Sequence, residues 1–180
     1  MAWVWMERSA SERRGSMGLK EDLEQVDLQE HALRLPAVDM KLGWELGTRL
    51  RTMAVERGLA LVIDVRRFGQ QLFYAALDGT TPDNAEWVRR KSNVVERFHR
   101  SSYAVGLNLK LKNDTLEARG LPMADYASHG GSFPLAVAGT GVVGSVTVSG
   151  LPQRDDHELV VEALCGLLGR SYAELKLGAE

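Results

Sequence analysis

The chain has 180 residues, 44% apolar and 26% charged, with a formal charge of −2 and one cysteine. That length holds one domain with a real core and is short for two. The small net charge gives no footprint for nucleic acid or a membrane surface. Cys165 alone excludes an intramolecular disulfide and a Cys-based zinc site. No apolar run approaches the roughly 20 residues that span a bilayer, so the pattern is that of a cytoplasmic protein.

Residues 1–18 read as a disordered N-terminal extension ahead of a single domain over 19–180. Trp3 and Trp5 precede an Arg- and Ser-rich segment without an apolar stretch of signal-peptide length. A short leader, an upstream start codon, or docking of the tryptophans on a neighbouring subunit remain open there.

From Leu19 to Leu35 apolar residues recur at helical spacing, and Pro36 stops the helix. Asp39 is placed to cap a second helix with the stripe Leu42, Leu46, Leu50 and Met53, closed by Gly58. Gly43 and Gly47 beside that stripe cost about 1 kcal/mol each in helix propensity unless close packing compensates. Leu59–Val65 and Gln70–Leu77, joined at Phe68–Gly69, form a hairpin signal. Asp64 reads as a solvent-face residue, with pairing to Arg66 or Arg67 as the alternative.

Thr81 or Asp83 caps a third helix, whose face carries Trp87, Lys91, Val94, Val95 and Phe98. A lysine inside that stripe either snorkels at the core edge or aims its charge at a ligand or subunit boundary. Residues 103–112 fit a strand or a continued helix equally, and Gly120–Leu121–Pro122 marks a break.

Gly139, Gly141 and Gly144 spell G-x-G-x-x-G, but the fingerprint works only when the motif opens a helix that holds a pyrophosphate. Here Ser145–Ser149 follows, β-branched and alternating, so the stretch reads as a hairpin from Phe133–Ala138 to Val142–Ser149, and no nucleotide is expected. Gly144 inside the second strand suggests a bulge or a close backbone approach. Asp155 or Asp156 then caps a last helix with a wide apolar face including Val160, Val161, Leu164, Leu167 and Leu168. Two hairpins among helices predict an α+β domain whose antiparallel sheet is covered mainly on one side, leaving the other face to a second subunit.

Three segments carry a family resemblance: PDNAEWVRRKSNVVERFHRSSY (82–103), SHGGSFPLAV (128–137) and GVVGSVTVSGLPQRDDHELVVEAL (141–164). Over residues 20–175 the chain resembles an uncharacterised, widely distributed family grouped with the haem-degrading HbpS/GlcG-like proteins. The resemblance implies a profilin-like α–β–α sandwich with a central antiparallel sheet flanked by helices, and assembly as homodimers or rings of dimers. Haem is the cofactor it brings into view, through the label of the wider superfamily.

No histidine lies three or four residues from another, so there is no local metal motif. His129 precedes Gly130–Gly131, where backbone can approach a ligand; it is otherwise a loop histidine bonded to a carbonyl. His157 follows the Asp155–Asp156 pair and either borders a site or lies on the first helical turn. Lys91, Ser101, Ser102, Tyr103, His129, Gly130, Gly131, Asp156 and His157 form the candidate ligand site. In the expected fold they meet near the end of the central helix, where a small anion, a carboxylate or a haem propionate would find donors. Nothing in the pattern supplies a nucleophile, base and orienter. Two function classes result: a small-ligand or haem-binding module, and an oligomeric scaffold or adaptor without catalytic activity.

Overall fold

The computed structural model describes residues 10–179. Element order is α1 (Ala10–Ala32), α2 (Met40–Glu56), β1 (Val62–Arg67), β2 (Gln70–Ala76), α3 (Pro82–Phe98), α4 (Ser102–Lys112), a 3-10 turn (Glu117–Arg119), β3 (Ser132–Val137), β4 (Gly141–Ser149), α5 (Gln153–Leu168) and α6 (Tyr172–Leu175). The four strands form one antiparallel sheet in the order β2-β1-β4-β3. Helix α1 begins at Ala10 rather than Leu19, so residues 10–18 of the expected extension are helical. The expectation for residues 1–9, Trp3 and Trp5 included, lies outside the described residues.

One sheet face presents Leu61, Ile63, Val65, Phe133, Leu135, Val146 and Val148 to Leu46, Leu50 and Ala54 of α2 and Leu159, Val160, Ala163, Leu164 and Cys165 of α5. This is the main core, and each fully buried aliphatic side chain in it contributes about 1.5–3 kcal/mol. Gly43 and Gly47 let α2 approach β2: a Cβ on Gly47 would lie 2.1 Å from the Phe73 ring, and one on Gly43 2.5 Å from Leu72. Asp39 caps α2 by accepting the Leu42 N–H at 2.8 Å.

The opposite face is not left for a second subunit. Alternation places Val62, Asp64, Ser132, Ser145, Thr147 and Ser149 there, all buried, and α3 packs across β4, β3 and β1 above them. Small side chains let the helix settle on the strands, and Ser132 Oγ and Thr147 Oγ1 bond each other at 2.8 Å. Asp64 is accordingly fully buried, not solvent-facing, and its carboxylate accepts from Arg66 and from Gln71.

The segment whose periodicity fits both types is helix α4: Ser101 caps it through the Ala104 N–H at 3.1 Å, and Asn113 closes it at φ 48°. Helix α3 is capped by Thr81, whose N–H donates to Asn84 Oδ1 at 2.9 Å, with Pro82 as first residue. The glycine motif is a hairpin turn, with Gly139 and Gly141 at φ 75° and 109°. β4 bulges opposite Leu135–Ala136, and a Cβ on Gly144 would lie 2.0 Å from the Arg66 carbonyl oxygen. Bulge and close approach therefore coincide. Helix α5 starts at Gln153 behind Pro152, so Asp155 and Asp156 sit in its first turn and do not cap it.

Candidate functional site

Helices α3 and α5 point their N-terminal ends at one cavity of about 260 Å³. Its walls include Asp83, Asn84, Trp87 and Lys91 of α3, Gln153 and Asp156 of α5, and His129 from the loop before β3. Asp83, Trp87 and Lys91 follow each other at i, i+4 and so share one helix face. Trp87 Nε1 donates to Asp83 Oδ2 at 3.1 Å, and the Trp87 ring meets His129 edge-on at 5.2 Å.

Lys91 does not snorkel. Its side chain is 4% exposed and its Nζ donates to Asp156 Oδ2 at 2.7 Å and to the Val148 carbonyl at 3.2 Å. Asp156 Oδ1 accepts the Leu151 N–H at 3.0 Å, which ties the β4–α5 connection to the pair. Burial lowers the pKa of Lys91, opposed by the attraction of Asp156; burial raises that of Asp156, opposed by Lys91.

Gly130 and Gly131 explain how the His129 loop threads between these groups. A Cβ on Gly130 would lie 2.0 Å from the Gln153 carbonyl oxygen, and one on Gly131 (φ 123°) 2.6 Å from the Val148 carbonyl oxygen and 2.8 Å from Lys91 Nζ. Gly130 N–H donates to Gln153 Oε1 at 3.3 Å. The loop is wedged by backbone contacts, and His129 stands exposed at the cavity rim. Partial burial lowers its pKa, as do the nearby charges of Lys91, Lys110 and Arg90, so the imidazole is neutral at pH 7.

A second cavity of about 250 Å³ adjoins the first across Trp87, His129 and Gln153. Leu109, Leu116, Met123 and Tyr126 give it apolar walls, with Arg90 and Lys110 at its border. Arg90 lies over the Trp87 ring at 4.1 Å and donates to the Met123 carbonyl.

Of the nine residues expected at the site, the structure brings Lys91, His129, Gly130, Gly131 and Asp156 together. The others hold the scaffold. Ser101 is the α4 cap and gives its N–H to Glu30 at 2.8 Å. Ser102 Oγ accepts the Ser132 N–H at 3.1 Å. Tyr103 donates its hydroxyl to Asp22 at 3.1 Å and lies 4.9 Å from the His157 ring.

His157 is fully buried between Tyr103 and Phe133, away from both cavities. Gln29 Nε2 donates to the Leu175 carbonyl and to Glu158, so Gln29 Oε1 accepts the His157 Nε2–H at 2.8 Å. His157 Nδ1 then carries a buried lone pair without a partner among the described residues, and burial holds the ring neutral with a pKa near 3. Trp87, Asn84 and Gln153 were absent from the expected set. The i, i+4 step from Asp83 through Trp87 to Lys91 is the signal that marks the first of them.

A four-stranded antiparallel sheet between helical layers defines a profilin-like α–β–α sandwich. Residues 38–165 match the family described as "Haem degrading protein HbpS-like". A UPF0303 protein of Acidobacterium capsulatum is 62% identical over 162 residues, covering 89% of this chain and 98% of that protein. One from Paraburkholderia phymatum is 59% identical over the same shares. The chain belongs to the HbpS-like family, as one of its UPF0303 proteins. Among solved structures, the Ybr137w protein superposes with TM-score 0.78 at 23% identity, covering 92% of this chain and 100% of that one. HbpS superposes at 0.60 with 17% identity over 76% and 94%. The PduOC:heme complex does so at 0.62 with 14% identity over 72% and 94%. These three share the fold.

Proposed function

We propose that this protein binds a small carboxylate-bearing ligand in the paired cavity beside Trp87 and His129. The observation that carries the reading is the set of donors around the first cavity. Asn84 and Gln153 each have their side-chain oxygen tied to a backbone N–H, of Thr81 and Gly130 respectively, which leaves both amide NH₂ groups to donate. Lys91 adds a cation, and the first turns of α3 and α5 add the positive ends of two helix dipoles.

Haem is one ligand of this kind, and the family description together with the PduOC:heme complex brings it forward. The residues present fit it. Lys91, Asn84 and Gln153 would hold a propionate, the neutral His129 would offer a nitrogen to the iron, and Leu109, Leu116, Met123 and Tyr126 would line the macrocycle. Bound haem would supply a redox-active iron; the chain's own part is to orient it and shield one edge from water. Haemin titration tests the reading. A Soret shift in the wild type that is lost in His129→Ala supports it, and a spectrum that stays that of free haemin overturns the haem form.

A second reading, an oligomeric cytoplasmic scaffold or adaptor, has its own support. Met40, Trp44 and Val55 stand 54%, 65% and 57% exposed on α2. The outer edge of β2 has no strand partner among the described residues, whereas β3 is flanked by a bridge from Leu35 to Val137. Assembly as a homodimer or ring of dimers would cover both features. Light scattering at micromolar concentration should then find a ligand-independent oligomer, and a monomer contradicts it.

A further inference from the structure

Lys91 is the one buried lysine among the described residues; Lys20, Lys41, Lys110, Lys112 and Lys176 are all exposed. An ammonium has three N–H donors. Lys91 directs one to Asp156 and one to the Val148 carbonyl, and the third has no acceptor among the described residues, although the group lines the cavity. Burial disfavours both charges and each partner's charge opposes that effect, while the 2.7 Å contact sets Asp156 Oδ2 in place to take a proton from Nζ. A proton passed along that contact turns the ammonium into a free amine beside a carboxylic acid, inside a cavity with amide donors for an anion. That is the equipment of an imine-forming lysine.

We propose that Lys91 condenses with a small 2-oxo carboxylate bound in this cavity. The proposal rests on the carboxylate-binding reading above and adds the reacting group. The ligand's carboxylate lies on the Asn84 and Gln153 amides, and its carbonyl carbon faces Nζ. Asp156 takes a proton from the ammonium. The amine lone pair then forms the C–N bond as the carbonyl π pair moves to oxygen, and a proton passes from nitrogen to that oxygen. Asp156, now the acid, protonates the hydroxyl; water leaves as the nitrogen lone pair closes the C=N bond. One ammonium and one carbonyl give one iminium and one water, with nothing oxidised or reduced. Asp156 ends as it began.

The test is reductive trapping with glyoxylate and cyanoborohydride at neutral pH on the full chain, read by peptide mass mapping. Glycolate, which lacks the carbonyl, serves as a binding control through shifts of the His129 ring resonances. An adduct on Lys91 forming faster than on any exposed lysine is expected, because a carboxylate held by the Asn84 and Gln153 amides sets the carbonyl beside Nζ. Lys91→Arg, which keeps a cation for Asp156 and cannot form an imine, should give no adduct in that peptide once circular dichroism shows it folded. Glycolate binding with modification only of exposed lysines sinks the covalent step and leaves the binding reading standing. No glycolate shift and no Lys91 adduct sink both.

Discussion

The Lys91 ammonium and the Asp156 carboxylate meet at 2.7 Å, with 4% and 1% of their side chains exposed, and join α3 to α5 across the strand end of β4. Buried pairs of this kind add little net stability, because desolvation offsets attraction, yet losing one partner strands the other charge. Lys91→Met should therefore destabilise the fold by about 3–5 kcal/mol in urea unfolding. The double variant Lys91→Met/Asp156→Leu should recover most of that loss. If the double variant is as unstable as the single one, the pair is a packing element and not an electrostatic one.

His157 makes stability depend on pH in a defined direction. Its pKa is about 3 in the folded protein against 6.5 for the free side chain. Between those values the unfolded chain binds a proton that the folded chain refuses, so stability is fully present above pH 6.5 and is lost as pH falls toward 3. The slope is roughly 1.4 kcal/mol per pH unit. Urea midpoints at pH 7 and pH 5 for wild type and His157→Gln should differ by this contribution, with the wild type falling more. Equal losses in the two proteins would show that His157 accepts its proton in the folded state.

The glycines of the G-x-G-x-x-G stretch should respond differently to substitution. Gly139 sits at φ 75° with open space around it, so Gly139→Asn should cost less than about 1 kcal/mol. Gly144→Ala drives a Cβ into the Arg66 carbonyl and should cost about 2–4 kcal/mol. Thermal denaturation of the two variants separates them. A stable Gly144→Ala protein would mean that β1 and β4 can move apart at no cost.

Local pattern carried much of this fold. The β-branched run after Gly144 excluded a cofactor helix, Asp39 and Gly58 bounded α2, and the apolar faces of α2 and α5 were readable as periodicity. The buried polar sheet face was not readable, because Ser145, Thr147 and Ser149 alternate with valines as a solvent face would. Only the helix lying over them shows otherwise. Helix α4 was ambiguous because its residues are buried nearly all round, which erases the 3.6-residue period.

For the site, the same limit appears in another form. Lys91 stood out as a cation in an apolar stripe and Asp156 as a helix-start acid, but no local rule pairs residues 65 positions apart. Ser101, Ser102, Tyr103 and His157 have the right chemistry for a ligand and spend it on a cap, a strand contact, an Asp22 bond and the Gln29 network.

The most direct measurement is haemin titration of the full chain, followed at the Soret band, beside the same titration of His129→Ala and of Lys91→Met/Asp156→Leu. Binding at this cavity predicts a saturable shift in the wild type, loss of the shift in His129→Ala, and weaker binding in the double variant. Identical curves for all three proteins would place any haem elsewhere and contradict the site.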